Sequence, residues 1–446
     1  MARWALLILA AMVVSAVFWW AALPTRPSDE LFAKEIAAAQ AEYLEEADQR
    51  RAAMDRRRRA AGLDADWDCG EALTEWLDPA RESLPDLATA FLENRGRLAT
   101  EPSAAEALSG AMGPSMGIAP AQDLRATLLA YARTDPFLAQ FSEWAALGLC
   151  AAALDPVRGV SLAEWDGLDR VQGVAGLLAV RAVAWAEAGY AAEAFQGLFA
   201  VYELAAGLAE EPIFAAQEHA LAIQAMADEA LGLVLHAAPP PKAERDKLAR
   251  RMEARASADP LIRTLHAEAS FALRHYPLEQ LGHALGEMFA YDIYTFATHA
   301  MPVLRQQPWE ARPALEALRD TSSSTAVETR GMLNTISELH AAHAARELIG
   351  RLTPIILAIE AHRHETGGYP DRLDDLEGPR AALPEDPITG GSLRYLRTPS
   401  GYVIRAEAPP GAAIEQPVRW RGGLASGDAP WTDSSAVDEE APAPAT

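Results

Sequence analysis

Two histidines and a glutamate in the C-terminal third of the chain come closest to the spacing of a metal site. His340 and His343 are three residues apart and Glu347 follows one turn later, so a helix would place them on one face. Imidazole and carboxylate groups are zinc ligands, and a zinc ion there would support hydrolysis. The pattern is not H-E-x-x-H, however, and no glutamate base lies between the histidines. A polar face on an amphipathic helix is the simpler interpretation.

Other residues with catalytic potential have weaker patterns. Asp292 lies in the aromatic run FAYDIYTF (289–296) and could be a pocket acid, but aromatic residues at helical spacing are more often packed core. The glycine-rich segment 109–120 lacks the lysine of a phosphate-binding loop. The sequence has no dinucleotide fingerprint or kinase signature. We expect no catalytic residues, metal ligands or cofactor; the alternative is a metal-dependent envelope hydrolase with a site in the helical body.

Composition predicts a mainly α-helical fold. Half of the 446 residues are apolar but only 7% are aromatic, so alanine and leucine, the strongest helix formers, dominate. The 63 acidic residues outnumber the 39 basic ones and give a net charge of −24. Such a surface repels polyanions, so we expect no nucleic-acid partner.

The first 23 residues indicate a membrane anchor. The run Trp4–Leu23 carries no charge, and its length of about 20 residues matches a bilayer core. We expect a single-pass signal-anchor in the inner (cytoplasmic) membrane, with the bulk of the chain extracytoplasmic, in the periplasm. A cleaved signal peptide ending near 14–16 and a buried core helix are the alternatives. Positive residues flank the run on both sides: Arg3 precedes it, and Arg26 and Lys34 follow it. The distribution of charge therefore does not determine the orientation of the anchor.

A charged stalk and a helical body are predicted next. Residues 24–63 form the stalk helix, and its cluster Arg56–Arg59 is expected to be a solvated face, with a lipid or partner patch as the alternative. The body at 64–320 contains two helices joined at Gly189–Tyr190, which resemble half of a tetratricopeptide repeat. Only one copy is clear, so we expect an irregular body, with a repeat-like one as the alternative.

Cys69 and Cys150 are the only cysteines. Their separation does not suit a zinc ribbon or a C-x-x-C redox pair. In an oxidising compartment they could form a disulfide that closes a loop of about 80 residues and stabilises the fold by about 4 kcal/mol. Two buried thiols are the alternative.

A compact unit that we call the C-terminal module is predicted at 326–422. A helix at 339–363, kinked at Pro354, is followed by two short strands at 393–396 and 402–405. The loop 397–401 would join the strands into a hairpin. Three tyrosines would close a small core against the helix: Tyr369, Tyr395 and Tyr402.

The order of special residues in this module resembles the C-terminal half of the major pseudopilin of type II secretion systems. The similarity covers about 70 residues. The residues that carry it, and that we expect in the module core, are Tyr369, Pro370, Asp386, Pro387, Gly390, Tyr395 and Tyr402. The chain departs from that family because it lacks a leader with a following glutamate and because the segment after the last strand offers only Glu407 and Glu415. No calcium ligands are therefore carried over, and a filament subunit is not expected.

Together these features predict a scaffold or protein-interaction role in the cell envelope. The helical body would present surfaces to envelope proteins, and the module would act as a docking element or structural cap linked to a secretion or pilus-like apparatus. Residues 423–446 are acidic and rich in alanine and proline, which predicts a disordered tail.

Overall fold

The computed structural model describes residues 29–64, 69–77, 81–94, 96, 124–150, 162–255, 261–265, 267–268, 299–321, 327–376, 383–407 and 418–423. These residues form a mainly helical protein with a small antiparallel sheet near the C-terminus, so the mainly α fold class is confirmed. The expected anchor at 1–23, the aromatic run with Asp292 and the tail beyond 423 lie outside the described residues.

Eleven helices can be numbered within the described ranges. They are α1 (Asp29–Ala60), α2 (Cys69–Trp76), α3 (Leu84–Glu93), α4 (Leu124–Thr134), α5 (Pro136–Ala146), α6 (Leu162–Glu187), α7 (Ala191–Ala209), α8 (Phe214–Ala237), α9 (Lys242–Arg255), α10 (Pro308–Thr321) and α11 (Val327–Thr366). The predicted joint at Gly189–Tyr190 is the turn between α6 and α7. The last helix begins well before the expected residue 339 and runs through Pro354.

The centre of the body is formed by α6, α7 and α8, which pack on one another. Small side chains let these helices approach closely. A Cβ added at Gly197 of α7 would lie 3.3 Å from the Cβ of Ala182 on α6. A Cβ added at Gly173 of α6 would lie 2.7 Å from Pro85 on α3, which also packs on α6. Because larger residues would push the helices apart, glycine and alanine determine the spacing of this core.

Within the described residues, one helix is long and apolar enough to cross a membrane, the 24-residue α8. Half of its most apolar window is buried inside the protein. A core helix passes the same test of length and composition, and α8 packs against α6 and α7.

The stalk helix α1 extends nearly as predicted, but it does not stand clear of the body along its whole length. Met54 is buried, and Arg50 Nη1 donates to the carbonyl of Glu210, 2.9 Å away, at the end of α7. Both cysteines are buried in the main core, and the structure holds them as thiols rather than as a disulfide.

The sheet has three antiparallel strands in the order β1 (Leu393–Thr398), β2 (Gly401–Ala406) and β3 (Val418–Gly422). The predicted hairpin is confirmed, although its strands are longer and only two residues, 399 and 400, connect them. The third strand was not predicted. Ile404 pairs with Tyr395 on one side and Trp420 on the other, and a bulge follows Ile404 on the β3 side.

Candidate functional site

The turn at 386–391, called the Asp386 turn, is organised by one fully buried carboxylate. Asp386 accepts hydrogen bonds from the amide of Ile388 at 3.0 Å and the hydroxyl of Thr389 at 2.7 Å. Arg419 of β3 donates to it from Nη2 at 2.8 Å and from Nε at 3.1 Å. Because these groups satisfy the buried charge, the turn and the third strand hold each other in place.

Glycine is required in this turn because the chain bends there against a neighbouring helix. Gly390 has a φ of +69°, and an added Cβ would lie 2.8 Å from the indole ring of Trp309 on α10. Both the left-handed backbone and the close approach exclude larger residues. The turn therefore contacts the helical part of the protein.

The three tyrosines form the predicted core. The ring of Tyr402 lies 5.2 Å from that of Tyr369 and 5.6 Å from that of Tyr395, measured between centroids. Trp420 Nε1 donates to the Tyr402 hydroxyl at 3.2 Å, and Tyr395 donates to the carbonyl of Pro370 at 2.7 Å. Burial raises the pKa of Tyr402 well above its usual value and the pKa values of Tyr369 and Tyr395 to about 12, so all three hydroxyls stay protonated at physiological pH.

An ion pair on α11 connects this core to the body. Arg363 Nε donates to the buried Glu360 at 2.8 Å, and its Nη2 donates to the carbonyls of Leu235 at 2.8 Å and His236 at 3.1 Å. Those carbonyls belong to the last turn of α8, where a cation also interacts favourably with the helix dipole. Burial raises the pKa of Glu360 to about 7, while Arg363 opposes the rise.

The residues considered as metal ligands do not assemble into a site. His340 is buried, and Glu347 is ion-paired with Arg351. Burial, followed by the neighbouring Arg346 and His340, lowers the pKa of His343 to about 3. In the part of the chain that the structure describes, no three His, Cys, Asp or Glu side chains come close enough to hold a metal ion. The metal-dependent hydrolase alternative therefore gains no support from these residues.

A buried polar group that the sequence did not predict lies where α7, α8 and α11 meet. Tyr202 donates to Asp228 Oδ1 at 2.7 Å, and Arg346 acts on Asp228 through space. Burial raises the pKa of Asp228 to about 7 and lowers that of Arg346 to about 10. No local signal marks this group, because Asp228 and Glu229 are adjacent acids on α8 and only tertiary packing distinguishes the enclosed Asp228 from the exposed Glu229.

An open cleft of about 210 Å³ lies between α10, α11 and the Asp386 turn. Its wall contains Arg312 and Glu316 of α10, Glu338 and His340 of α11, and Ile388 of the turn. Arg312, Glu316 and Glu338 are exposed, and the cleft lies at the joint between the body and the module.

Compared with protein-family models, curated proteins and solved structures, the chain matches none of them. The resemblance of the C-terminal module to the pseudopilin therefore stays a prediction that rests on its spacing of special residues.

Proposed function

We propose that this chain is a non-enzymatic, membrane-anchored scaffold of the cell envelope, on which the C-terminal module provides a fixed docking surface for a protein partner. The observation that carries the proposal is the attachment of the module to the body. Arg363 joins the module's helix to the last carbonyls of α8, and Trp309 covers Gly390 of the Asp386 turn. A module attached in this way presents its surface in one orientation.

The long helix α11 supports this role because it belongs to both parts. Its 40 residues correspond to about 60 Å of helix. It packs against α8, α9 and α10 and also contacts β3. A partner held by the module would therefore be positioned relative to the whole body.

The exposed surface of the hairpin is suited to a protein contact. Arg394 pairs with Glu407, and Arg397 pairs with Asp371, so the hairpin presents exposed charges of both signs. Ser400 at the tip is exposed. Charges of both signs at the rim of an interface favour specificity in protein recognition.

Photo-crosslinking in intact cells tests the docking role. A photo-reactive amino acid is placed at Ser400 and, as a control, at the exposed Glu193 on α7. We expect Ser400 to give a discrete crosslinked product containing one envelope protein, and Glu193 to give little of it. Equal products from both positions, or none from Ser400, would contradict the docking role.

The proposed anchor has its own test. We expect the full-length chain to stay in the membrane pellet after alkaline carbonate extraction, because a segment of about 20 apolar residues is held by the bilayer core. A variant that begins at Ser28 should be soluble. Recovery of the intact full-length chain from the soluble fraction without detergent would contradict the anchor.

A further inference from the structure

The cleft between α10, α11 and the Asp386 turn combines polar and apolar walls. Its polar side chains come from both helices and are Arg312, Glu316, Asn334, Ser337, Glu338 and His340. Leu315 of α10, Ala341 of α11 and Ile388 of the turn provide apolar surface. The cavity volume of about 210 Å³ is roughly the liquid volume of seven water molecules, which suits a small ligand of one ring.

The charged side chains at this cleft have open hydrogen-bonding capacity. Arg312, Glu316 and Glu338 are exposed, and no residue that the structure describes forms an ion pair or a side-chain hydrogen bond with any of them. A guanidinium only donates and a carboxylate only accepts, whereas the Asn334 amide and the Ser337 hydroxyl do both. The cleft therefore offers donors and acceptors side by side, as a ligand with several hydroxyl groups requires.

The charges of the cleft favour an uncharged ligand. An anion would be repelled by Glu316 and Glu338, and a cation would be repelled by Arg312. Nor do three His, Cys, Asp or Glu side chains come together as metal ligands within the described ranges. A neutral molecule with hydroxyl groups avoids these repulsions and can still hydrogen-bond to all three charged groups.

An exposed indole ring lies beside the cleft. Trp309 directly follows Pro308, which lines the cleft, and its ring lies against Gly390, two residues beyond Ile388 of the same lining. Trp309 is 44% exposed. The C–H face of a sugar ring packs well on an aromatic side chain while nearby polar groups bind its hydroxyls.

We propose that this cleft binds an uncharged pyranose sugar. Trp309 packs against the sugar ring, Glu316 and Glu338 accept hydrogen bonds from its hydroxyls, and Arg312 donates to them. A bound sugar contacts α10, α11 and the Asp386 turn together, so it also braces the joint between the body and the module. This site is separate from the proposed docking surface on the hairpin, and neither depends on the other.

Saturation-transfer NMR of candidate ligands with the full-length protein tests this inference. The protein is kept in lauryldimethylamine oxide, because a detergent with a sugar headgroup would compete for the cleft. Methyl β-D-glucoside and N-acetylglucosamine are the probes. Sorbitol is a control that has hydroxyls but no ring, and glycine is a control that has charges but no hydroxyls.

We expect at least one sugar to bind with a dissociation constant on the order of 1–10 mM, at least about 10-fold more tightly than either control. Only a sugar ring combines an apolar face for the indole with hydroxyls for the charged groups. Absence of sugar binding up to about 50 mM, or equal binding of sorbitol or glycine, would overturn the inference.

Matched variants locate the sugar. Glu316→Ala and Glu310→Ala each remove an exposed glutamate from α10, but of the two only Glu316 lines the cleft. Glu316→Ala should raise the dissociation constant at least about 10-fold, because a charged acceptor is lost, and Glu310→Ala should leave it unchanged. Trp309→Leu should raise it at least about 5-fold. Circular dichroism checks that each variant is folded, and unchanged binding in folded Glu316→Ala or Trp309→Leu would overturn the assignment.

Discussion

Asp386 illustrates how one buried carboxylate can determine the shape of a loop. Its oxygens accept from an amide and a hydroxyl within its own turn and from the guanidinium of Arg419 on the third strand. The following glycine at 390 then provides the left-handed backbone that the turn needs. The aspartate and glycine of the module's sequence pattern therefore each have a structural role in this turn.

Replacing Asp386 should loosen the sheet. Asp386→Ala removes the carboxylate and leaves the mostly buried Arg419 guanidinium without its partner, which costs about 3 kcal/mol or more of local stability. Hydrogen-exchange mass spectrometry should show faster exchange in 383–407 and 418–423. The control Asp371→Ala breaks an exposed pair with Arg397 and should cost less than about 1 kcal/mol. Equal exchange in the two variants would contradict the role of Asp386.

Asp228 should contribute a specific pH dependence to stability. Burial raises its pKa to about 7, whereas an unfolded aspartate has a pKa near 4, so between these values the folded protein holds the extra proton. The stability that protonated Asp228 contributes to the folded protein is present in full below about pH 4 and is lost as the pH rises through about 7. The neutral side chain of Asp228→Asn does not titrate, so the variant does not lose this stability. Its free energy of unfolding minus that of wild type should therefore increase by at most about 4 kcal/mol between pH 4 and pH 8.

Urea unfolding at several pH values, followed by circular dichroism, measures this difference. Burial lowers the pKa of His343, which opposes folding in acid, but that group is present in both proteins and largely cancels in the comparison. The charged neighbour Arg346 has a pKa of about 10 and does not titrate in this range. Glu193→Gln, at an exposed position on α7, should leave the pH profile unchanged. A parallel profile for Asp228→Asn and wild type would contradict the raised pKa.

At the scale of elements, several helices in this chain end on an arginine from a distant segment. Arg181 of α6 donates to the carbonyls of Ala132 and Arg133 at the end of α4, at 2.7 Å each. Arg363 does the same at the end of α8, and Arg50 at the end of α7. Each contact satisfies carbonyls that have no partner within the helix and places a positive charge at the negative end of the dipole.

Elements that depend on neighbouring residues could be predicted from the sequence, whereas those that depend on distant contacts could not. The α6–α7 joint and the hairpin were predictable because they depend on neighbouring residues. Glycine and proline favour turns, and the spacing of hydrophobic residues indicates helices and strands. The third strand, VRWRG, alternates apolar and basic residues, but five residues are too short a pattern to identify a strand alone, and it is defined by pairing with β2 and by the bond from Arg419 to Asp386. The polar group of Asp228 and Arg346 was also not predictable, because it joins side chains more than 100 positions apart. Burial of Met54 on the expected stalk likewise depends on tertiary packing.

Two glycines of the same helix should respond to alanine with opposite signs. In Gly173→Ala the new Cβ would lie 2.7 Å from Pro85 of α3, so the helices must separate at a cost of about 1–3 kcal/mol. In Gly167→Ala nothing lies within 4 Å of the new Cβ, and the better helix former should stabilise by about 0.5–1 kcal/mol. Thermal unfolding of both variants measures the signs. A stabilised Gly173→Ala protein would show that α3 does not pack closely on α6.

At the scale of the whole molecule, the body and the C-terminal module of this strongly negative chain are joined mainly by hydrophobic packing, with few charged groups. The main hydrophobic core runs continuously from α2 through the central helices to Tyr402 and Trp420 of the sheet. Arg363 lies where the module's helix passes the end of α8, and it donates to the carbonyls of Leu235 and His236. Arg363 is therefore one of the contacts that orient the module relative to the body, together with the packing of α11 on α8, α9 and α10.

Arg363→Ala should uncouple the module from the body while the central helices stay folded. The substitution removes the cation that pairs with the buried Glu360 and the donor to Leu235 and His236, so hydrogen exchange should become faster in 231–237 and 366–376. Exchange in α6 and α7 should not change. Arg351→Ala removes an arginine from the same helix, but its ion pair with Glu347 is exposed, and this control should behave like wild type. Equal loss of protection in α6 and at the joint would mean that the two parts unfold as one unit and that Arg363 does not connect separable bodies.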